Sequence, residues 1–281
     1  MALPHTVEVL APVFGVIALG AVLRKTGFVS AEALKAMRAL CYWVGLPCVL
    51  FLALASRGFS AEAGQTLLVV VAGMAACIVV CYIGAATVRM PWAQVGSFVH
   101  TGYRGNLAFV GLAVIASAYP SGASGESEAQ ATAALVLGPM VILYNVIAVT
   151  VLKIGRERFS AAALGSIVRA ILTNPLVIAC ALGGALSAMG WKLPAVVDKT
   201  VGLVGRFAMP LALVCVGGAL VSTPIRGRLA WSLLAGAIKV SVGPVAGYLV
   251  AMRLGLGGQQ LAVAMILLAC PTAIASYVLT E

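Results

Sequence analysis

Charge is what this sequence lacks most. Only 9% of its 281 residues are charged, and just 8 are Asp or Glu. A soluble domain carries about 25%, so a water-solvated globule is excluded. No acid lies deep in an apolar run: Glu8 is near an end, and Glu32, Glu62, Glu126, Glu128, Glu157 and Asp198 fall in loops or at their edges. Paired carboxylates, an HExxH run and a nucleophile–base pair at motif spacing are all missing, which argues against an intramembrane enzyme. Aromatics are 7% and are not interleaved with the basic residues, so the net charge of +10 does not describe a nucleic-acid module. The seven cysteines (41, 48, 77, 81, 180, 215, 270) lie in apolar runs with no CxxC or Cys/His cluster. They read as small hydrophobes, Cys77 and Cys81 sharing a helical face, and neither a metal site nor a cofactor is expected.

What is present is apolar surface: 62% of residues are hydrophobic and the mean hydropathy is +1.10. Runs long enough to span a bilayer, roughly 17–25 residues, fall at about 6–23, 39–55, 65–88, 93–119, 129–152, 170–190, 200–222, 229–252 and 259–280. Helices are expected, because an unpaired strand cannot satisfy its backbone in lipid, and barrel-type alternation is absent. The fold class is an all-α polytopic membrane protein. Odd loops carry Arg24, Lys25, Lys35, Arg38, Arg89, Lys153, Arg156, Arg158, Arg169, Arg226 and Arg228; even loops carry Arg57, Lys192, Lys199 and Arg253, with Arg206 in or near the seventh span. The excess places odd loops in the cytoplasm and the N-terminus outside. Arg24-Lys25 follow the first span rather than precede it, unlike a cleaved signal peptide.

An internal repeat emerges when residue n is set against n+163. Pro12 meets Pro175, Pro47 meets Pro210, and Gly20, Gly27, Gly73 and Gly84 meet Gly183, Gly190, Gly236 and Gly247. Spans one to four then superpose on six to nine. Five spans separate equivalents, an odd number, so the copies run in opposite directions, as in many secondary transporters. The expected division is 1–152 for the first copy and 153–281 for the second. By the same offset, span five would recur at 292–315, past Glu281, so the second copy is expected to be incomplete and the tenth helix absent from this chain.

Near the middle of span four stands HTGYRGNLAFVGLAV, residues 100–114. It holds a fixed cation, Arg104, beside Gly105, Asn106 and Gly111. Its counterpart by the offset holds Cys270, Pro271 and Thr272, with Ser276 a turn later. Pro271 removes a backbone donor, and the glycines ease departure from helical geometry. Helices interrupted at matching places mark a transporter's site, and N–H groups at a half-helix start favour an anion.

In order along the chain, YRGNLAFVGLAV, LTNPLVIACALGGALSAMG, AMPLALVCVGGALV, AIKVSVGPVAGYLV and LLACPTAIASYVL together resemble the auxin efflux carrier family, in its prokaryotic branch. The resemblance implies a five-plus-five inverted repeat akin to the bile acid:sodium symporter fold, with helices four and nine unwound where they cross. It implies an elevator motion, spans one, two, six and seven forming a scaffold and spans three to five, eight and nine moving. It also implies small organic anions as substrates, auxin-like acids or carboxylates such as malate and malonate, and residence in a bacterial inner membrane.

The expected substrate site comprises Arg104, Gly105, Asn106, Phe109, Gly111, Cys270, Pro271, Thr272, Ser276, Lys239 and Asn145, with Tyr144 facing the same polar region. Each has a plainer reading: Arg104 and Asn106 as ties to freed backbone, Phe109 as core. Lys239 sits about 15 Å from the nearer boundary of its span, too deep for full snorkelling, so it needs carbonyls, a hydroxyl or the substrate. Without buried acids, dedicated Na⁺ coupling is not expected. Uniport, or charge movement by Lys239 or His100, fits better, though a lone membrane histidine is more often packed and hydrogen-bonded. Asn174-Pro175 reads as a helix cap followed by a first-turn proline. Expected partners are an organic anion and membrane lipid, with a homodimer left open. The alternatives are a channel, distinguished by single-channel currents, and a non-transporting solute sensor, distinguished by binding without flux.

Overall fold

The computed structural model describes residues 2–57, 60–120, 127–153, 165, 168–169, 171–222 and 229–272. Helix α1 (Ala2–Lys25) ends where Gly27 takes φ +83° and Val29 N–H returns to the Leu23 carbonyl. Ser30 then caps α2 (Ala31–Leu40) through the Ala33 N–H. The chain widens into a π turn, Cys41–Gly45, and continues as α3 (Leu46–Arg57). Pro47 follows at once: its ring and missing donor disfavour the regular i→i−4 pattern of the preceding turn. Ser60 caps α4 (Ala61–Thr87). Then come α5 (Trp92–Tyr103), a π turn at Leu107–Gly111 running into α6 (Leu112–Ala118), and α7 (Glu128–Lys153). The second half holds α8 (Pro175–Ala188), α9 (Ala195–Ser222), α10 (Leu229–Arg253) and α11 (Gly258–Ala269). The Asn174 side chain accepts from Leu176 N–H at 2.9 Å, and Pro175 follows at the first helical position, as the sequence indicates.

Among the described residues, six helices are long and apolar enough to cross a membrane: Thr6–Lys25, Ala31–Ser56, Ala61–Thr87, Glu128–Leu152, Ala195–Ser222 and Ala230–Arg253. This is an all-α polytopic membrane protein. The other three expected spans are shorter as helices. The run at 93–119 divides at 104–106, the run at 170–190 is helical over Pro175–Ala188, and the run at 259–280 leaves the helix at Cys270. Ser276 lies outside the described residues. Large apolar side chains such as Phe14, Leu19, Ile83, Leu203 and Leu249 face outward, as lipid contact requires.

Packing follows a cross pattern. Helix α1 lies along α9, α3 along α8, and α4 along α10; α5 packs on α10, and α11 on α4. The closest approaches occur at glycines. A Cβ on Gly20 would lie 2.2 Å from the Val214 carbonyl oxygen, and one on Gly183 would lie 2.5 Å from that of Phe51. These contacts exchange under the offset of 163, since 20 maps to 183 and 51 to 214. Gly45 meets Ala208, its own counterpart (45 to 208). Cysteines fill the space beside other glycines: Cys81 meets Gly102, Cys180 meets Gly138, and Cys77 meets Gly243. All seven thiols are free. Arg24 Nε donates to Ser222 Oγ at 2.8 Å, tying the ends of α1 and α9 on one side of the bundle.

Lys35, Arg38 and Lys199 depart from the loop positions assigned to them, Lys35 lying with Arg38 in α2. Arg38 lies inside the continuous Ala31–Ser56 helix, and Lys199 inside α9. The excess of basic residues at the odd-loop side survives these changes.

Candidate functional site

Two broken segments meet at the centre. Helix α5 ends as Arg104 turns to φ −80°, ψ 103°, and α11 ends as Cys270 turns to φ −54°, ψ 138°. Gly105 and Thr272 form an isolated antiparallel bridge, and Asn106 N–H donates to the Pro271 carbonyl at 2.8 Å. Each break thus satisfies backbone polarity that the other releases, which apolar surroundings demand. The two leading helices are each 12 residues long, displaced by 166 positions (92 to 258, 103 to 269). At the crossing the register is therefore three residues beyond the 163 that relates α1 and α3 to α8 and α9. A displacement of 166 pairs Asn106 with Thr272 and Gly105 with Pro271.

Behind the crossing the described residues pack closely. The Lys239 ammonium, buried with its side chain 2% exposed, donates to the Leu268 carbonyl in the last turn of α11. Its stem crowds Gly105, where a Cβ would come within 3.2 Å of the Lys239 Cε. A bulkier residue at 105 would push against the lysine and against Leu107. His100 is fully buried, its Nδ1 3.2 Å from the Tyr103 hydroxyl, and its Nε2 has no partner among the described residues. Gly111 packs on Leu267 and Cys270, whose thiol donates to the Ile266 carbonyl at 3.2 Å.

In front of the crossing lies a cavity of about 410 Å³, within the usual range for small-molecule sites. The segment Arg104–Phe109 forms one wall; Leu137, Val141, Tyr144 and Asn145 of α7 form a second. Arg38, Tyr42 and Leu46, with Leu176 of α8 and Ala212, Cys215 and Val216 of α9, close the far side. No Asp or Glu is among these residues. The Arg104 guanidinium sits over the Tyr144 ring, 6.0 Å from its centroid. Val110 and Gly111 N–H both bond back to the Asn106 carbonyl. The N–H groups of Leu107, Ala108 and Phe109 therefore have no acceptor behind them in the helix, and all three residues line the cavity. The Asn106 carboxamide does not cap this turn, which leaves it beside Arg104 on the cavity wall.

Of the residues singled out from sequence, Arg104, Gly105, Asn106, Phe109 and Asn145 line this cavity. Lys239, His100, Gly111, Cys270, Pro271 and Thr272 do not; they build or brace the crossing behind it. An anion is expected at N–H groups near Gly105 and Thr272; of these, Gly105 N–H donates to the Tyr144 hydroxyl at 3.3 Å, and the next one, Asn106 N–H, donates to the Pro271 carbonyl. The open N–H groups are those one residue further on. Arg38, Tyr42 and Cys215 line the cavity and were not singled out. Arg38 sits four residues before Tyr42 on one helical face, the only sequence signal that pointed to it.

The chain matches the membrane transport protein family over residues 5–281, nearly its whole length. Among curated proteins, none matches it. The match and the six spanning helices together make this chain a multi-pass membrane protein of the auxin efflux carrier family, a family of transporters.

Proposed function

We propose that this member of the auxin efflux carrier family is a secondary carrier for small organic anions. It would reside in a bacterial inner membrane, with its N-terminus outside and its odd loops cytoplasmic. The carrying observation is the cavity itself: Arg104, Asn106 and an open half-helix start face one space with no Asp or Glu among its described lining residues. A carboxylate there would meet a guanidinium, a carboxamide and the N–H groups of Leu107–Phe109, all donors, at the positive end of a helix dipole. Lys239 stands behind the break, its amine hydrogen-bonded to the Leu268 carbonyl.

The chain is read as two inverted copies, 1–152 and 153–281. Support comes from contacts that exchange between halves: α1 on α9 against α3 on α8, and α5 on α10 against α11 on α4. The scaffold is α1–α3 with α8 and α9; the moving part is α4–α7 with α10 and α11. The cavity favours this division because its walls come from both sets. It lies toward the odd-loop ends of the helices, Leu176 opening α8 and Val216 nearing the end of α9. On the proposed topology this is an inward-facing state, and sliding the crossing past the scaffold would carry the anion outward.

Uptake of carboxylates by proteoliposomes tests the reading. Arg104→Ala and Asn106→Ala should each lower kcat/KM by roughly 10- to 100-fold, as loss of a hydrogen bond to a charged group does, with melting temperatures unchanged. Wild-type rates in both variants would remove the site. Single-channel currents would instead establish a channel.

A further inference from the structure

The far wall of the cavity holds a thiol, Cys215, and a second thiol, Cys41, stands next to it. Cys41 opens the π turn between α2 and α3 and is fully buried. Cys215 lies on α9, 2% exposed, and lines the cavity. The two segments run antiparallel: Leu34 packs against Gly218, Gly45 against Ala208 and Val49 against Gly205. That register sets Cys41 about opposite Ala212, one turn short of Cys215. A helical side chain leans toward the N-terminus of its own helix, so in this antiparallel pair the two thiols lean toward one another. They lie within hydrogen-bonding reach of each other, and the Cys41 thiol also donates to the Ala208 carbonyl at 3.6 Å.

The other thiols are placed differently. Cys77 and Cys81 share one face of α4 and fill space against Gly243 and Gly102, and Cys180 does the same against Gly138. Cys270 bonds within its own helical turn. None of these lines the cavity, nor does Cys48. Beside the pair stands a fixed cation, Arg38, one turn before Cys41 and on the same cavity wall. A thiol that faces open space next to a positive charge is the setting in which cysteines react. Among the described residues no group of three metal-ligating side chains forms, so the pair has no third ligand to make a metal cage.

We infer that Cys41 and Cys215 are a redox-active pair, which a peroxide closes into a disulfide that arrests transport. Cys215, reached through the cavity, attacks one peroxide oxygen and becomes a sulfenic acid, releasing one water. The Cys41 sulfur then displaces the sulfenic oxygen as a second water and forms the S–S bond. The two thiols lose two electrons and two protons, and hydrogen peroxide is reduced to two waters. All seven thiols are free in the structure. On the proposed topology the cavity opens to the cytoplasm, whose thiol pool returns the pair to that reduced state. A disulfide brings its sulfurs to about 2.05 Å, closer than two thiols in contact, so closure pulls the π turn toward α9. Tyr42, the next residue, and Arg38 move with it, and both line the cavity. The thiol chemistry stands apart from the carrier reading; only its effect on transport rests on that reading.

The purified full-length chain, reduced and then exposed to hydrogen peroxide, is alkylated and its peptides are mapped by mass spectrometry. The expected product is a Cys41–Cys215 cross-link, reversed by dithiothreitol, with the other cysteines alkylated as free thiols. Cys41→Ser and Cys215→Ser should each abolish it, and either serves if the other does not fold. In proteoliposomes, peroxide should lower carboxylate uptake at least about 10-fold, the scale of an ångström-sized misplacement in a site, and dithiothreitol should restore it. Cys41→Ser should keep uptake without peroxide within about 2-fold of wild type, as a buried small side chain exchanged for its isostere does, and lose the response to peroxide. Oxidation of Cys215 alone, a cross-link between other cysteines, or a full set of free thiols after peroxide would overturn the pair. A Cys41–Cys215 cross-link with uptake unchanged would overturn the switch. Absence of uptake in the reduced wild type would contradict the carrier reading, while the peptide map still decides the pair.

Discussion

The two arms of the crossing share a geometry and divide the work. Each consists of a 12-residue helix that stops in the middle of the protein. Beyond the stop they differ. Arg104-Gly105-Asn106 presents a cation and a carboxamide to the cavity, while Cys270-Pro271-Thr272 presents none of its residues there. The second arm supplies backbone instead: the Pro271 carbonyl takes the Asn106 N–H, and the Leu268 carbonyl takes the Lys239 ammonium. Duplication can set the backbone, but only side chains that diverge afterwards can give it chemistry. On the proposed reading, the first arm is a binding wall and the second its support.

That division can be broken by exchanging insults between the arms. The largest contrast should be in transport. Arg104→Ala should lower carboxylate uptake by roughly 10- to 100-fold. Cys270→Ala, the substitution at the position 166 residues on, should leave uptake within about 3-fold, since the thiol makes only a local bond. Comparable losses in both would mean that the second arm also touches substrate.

Stability should show the opposite order. Gly20→Ala and Gly183→Ala each drive a methyl into a backbone carbonyl of the facing helix. Each should destabilise by about 1–3 kcal/mol, as overpacking does, read as a lower melting temperature in detergent. The two losses should match to within about 1 kcal/mol, because the contacts are counterparts. Lys239→Met removes the donor that holds the Leu268 carbonyl and leaves that carbonyl buried. A loss of about 1–3 kcal/mol is expected, and wild-type melting would show that the lysine does not brace the crossing. Asn174→Ala removes the cap of α8 and should cost about 1 kcal/mol, measured in the same way.

Much of this was legible in the amino-acid order, and the rest was hidden for physical reasons. The six long spans follow from apolar length alone. The break near Gly105 and the stop before Pro271 follow from what glycine and proline do to a helix. The register at the crossing does not: Gly20 and Gly183 fix an offset of 163 in one part, whereas α5 and α11 are displaced by 166. A three-residue difference accumulated between them leaves no trace in composition. Arg38 was hidden by its own neighbours. Lys35 and Arg38 on a short amphipathic stretch read as a loop, yet that stretch continues through a π turn into the span. Which N–H groups remain open also depends on a partner 39 residues away, since Tyr144 takes the Gly105 N–H.

A structure of the protein with its tightest-binding carboxylate, chosen by thermal shift from mono- and dicarboxylates, tests the central claim most directly. The account predicts a carboxylate within hydrogen-bond reach of the Arg104 guanidinium, the Asn106 carboxamide and the N–H groups of Leu107–Phe109, in front of a helix interrupted at Gly105. An unbroken helix through residues 104–106, or the anion bound elsewhere with Arg104 turned to lipid, would contradict it.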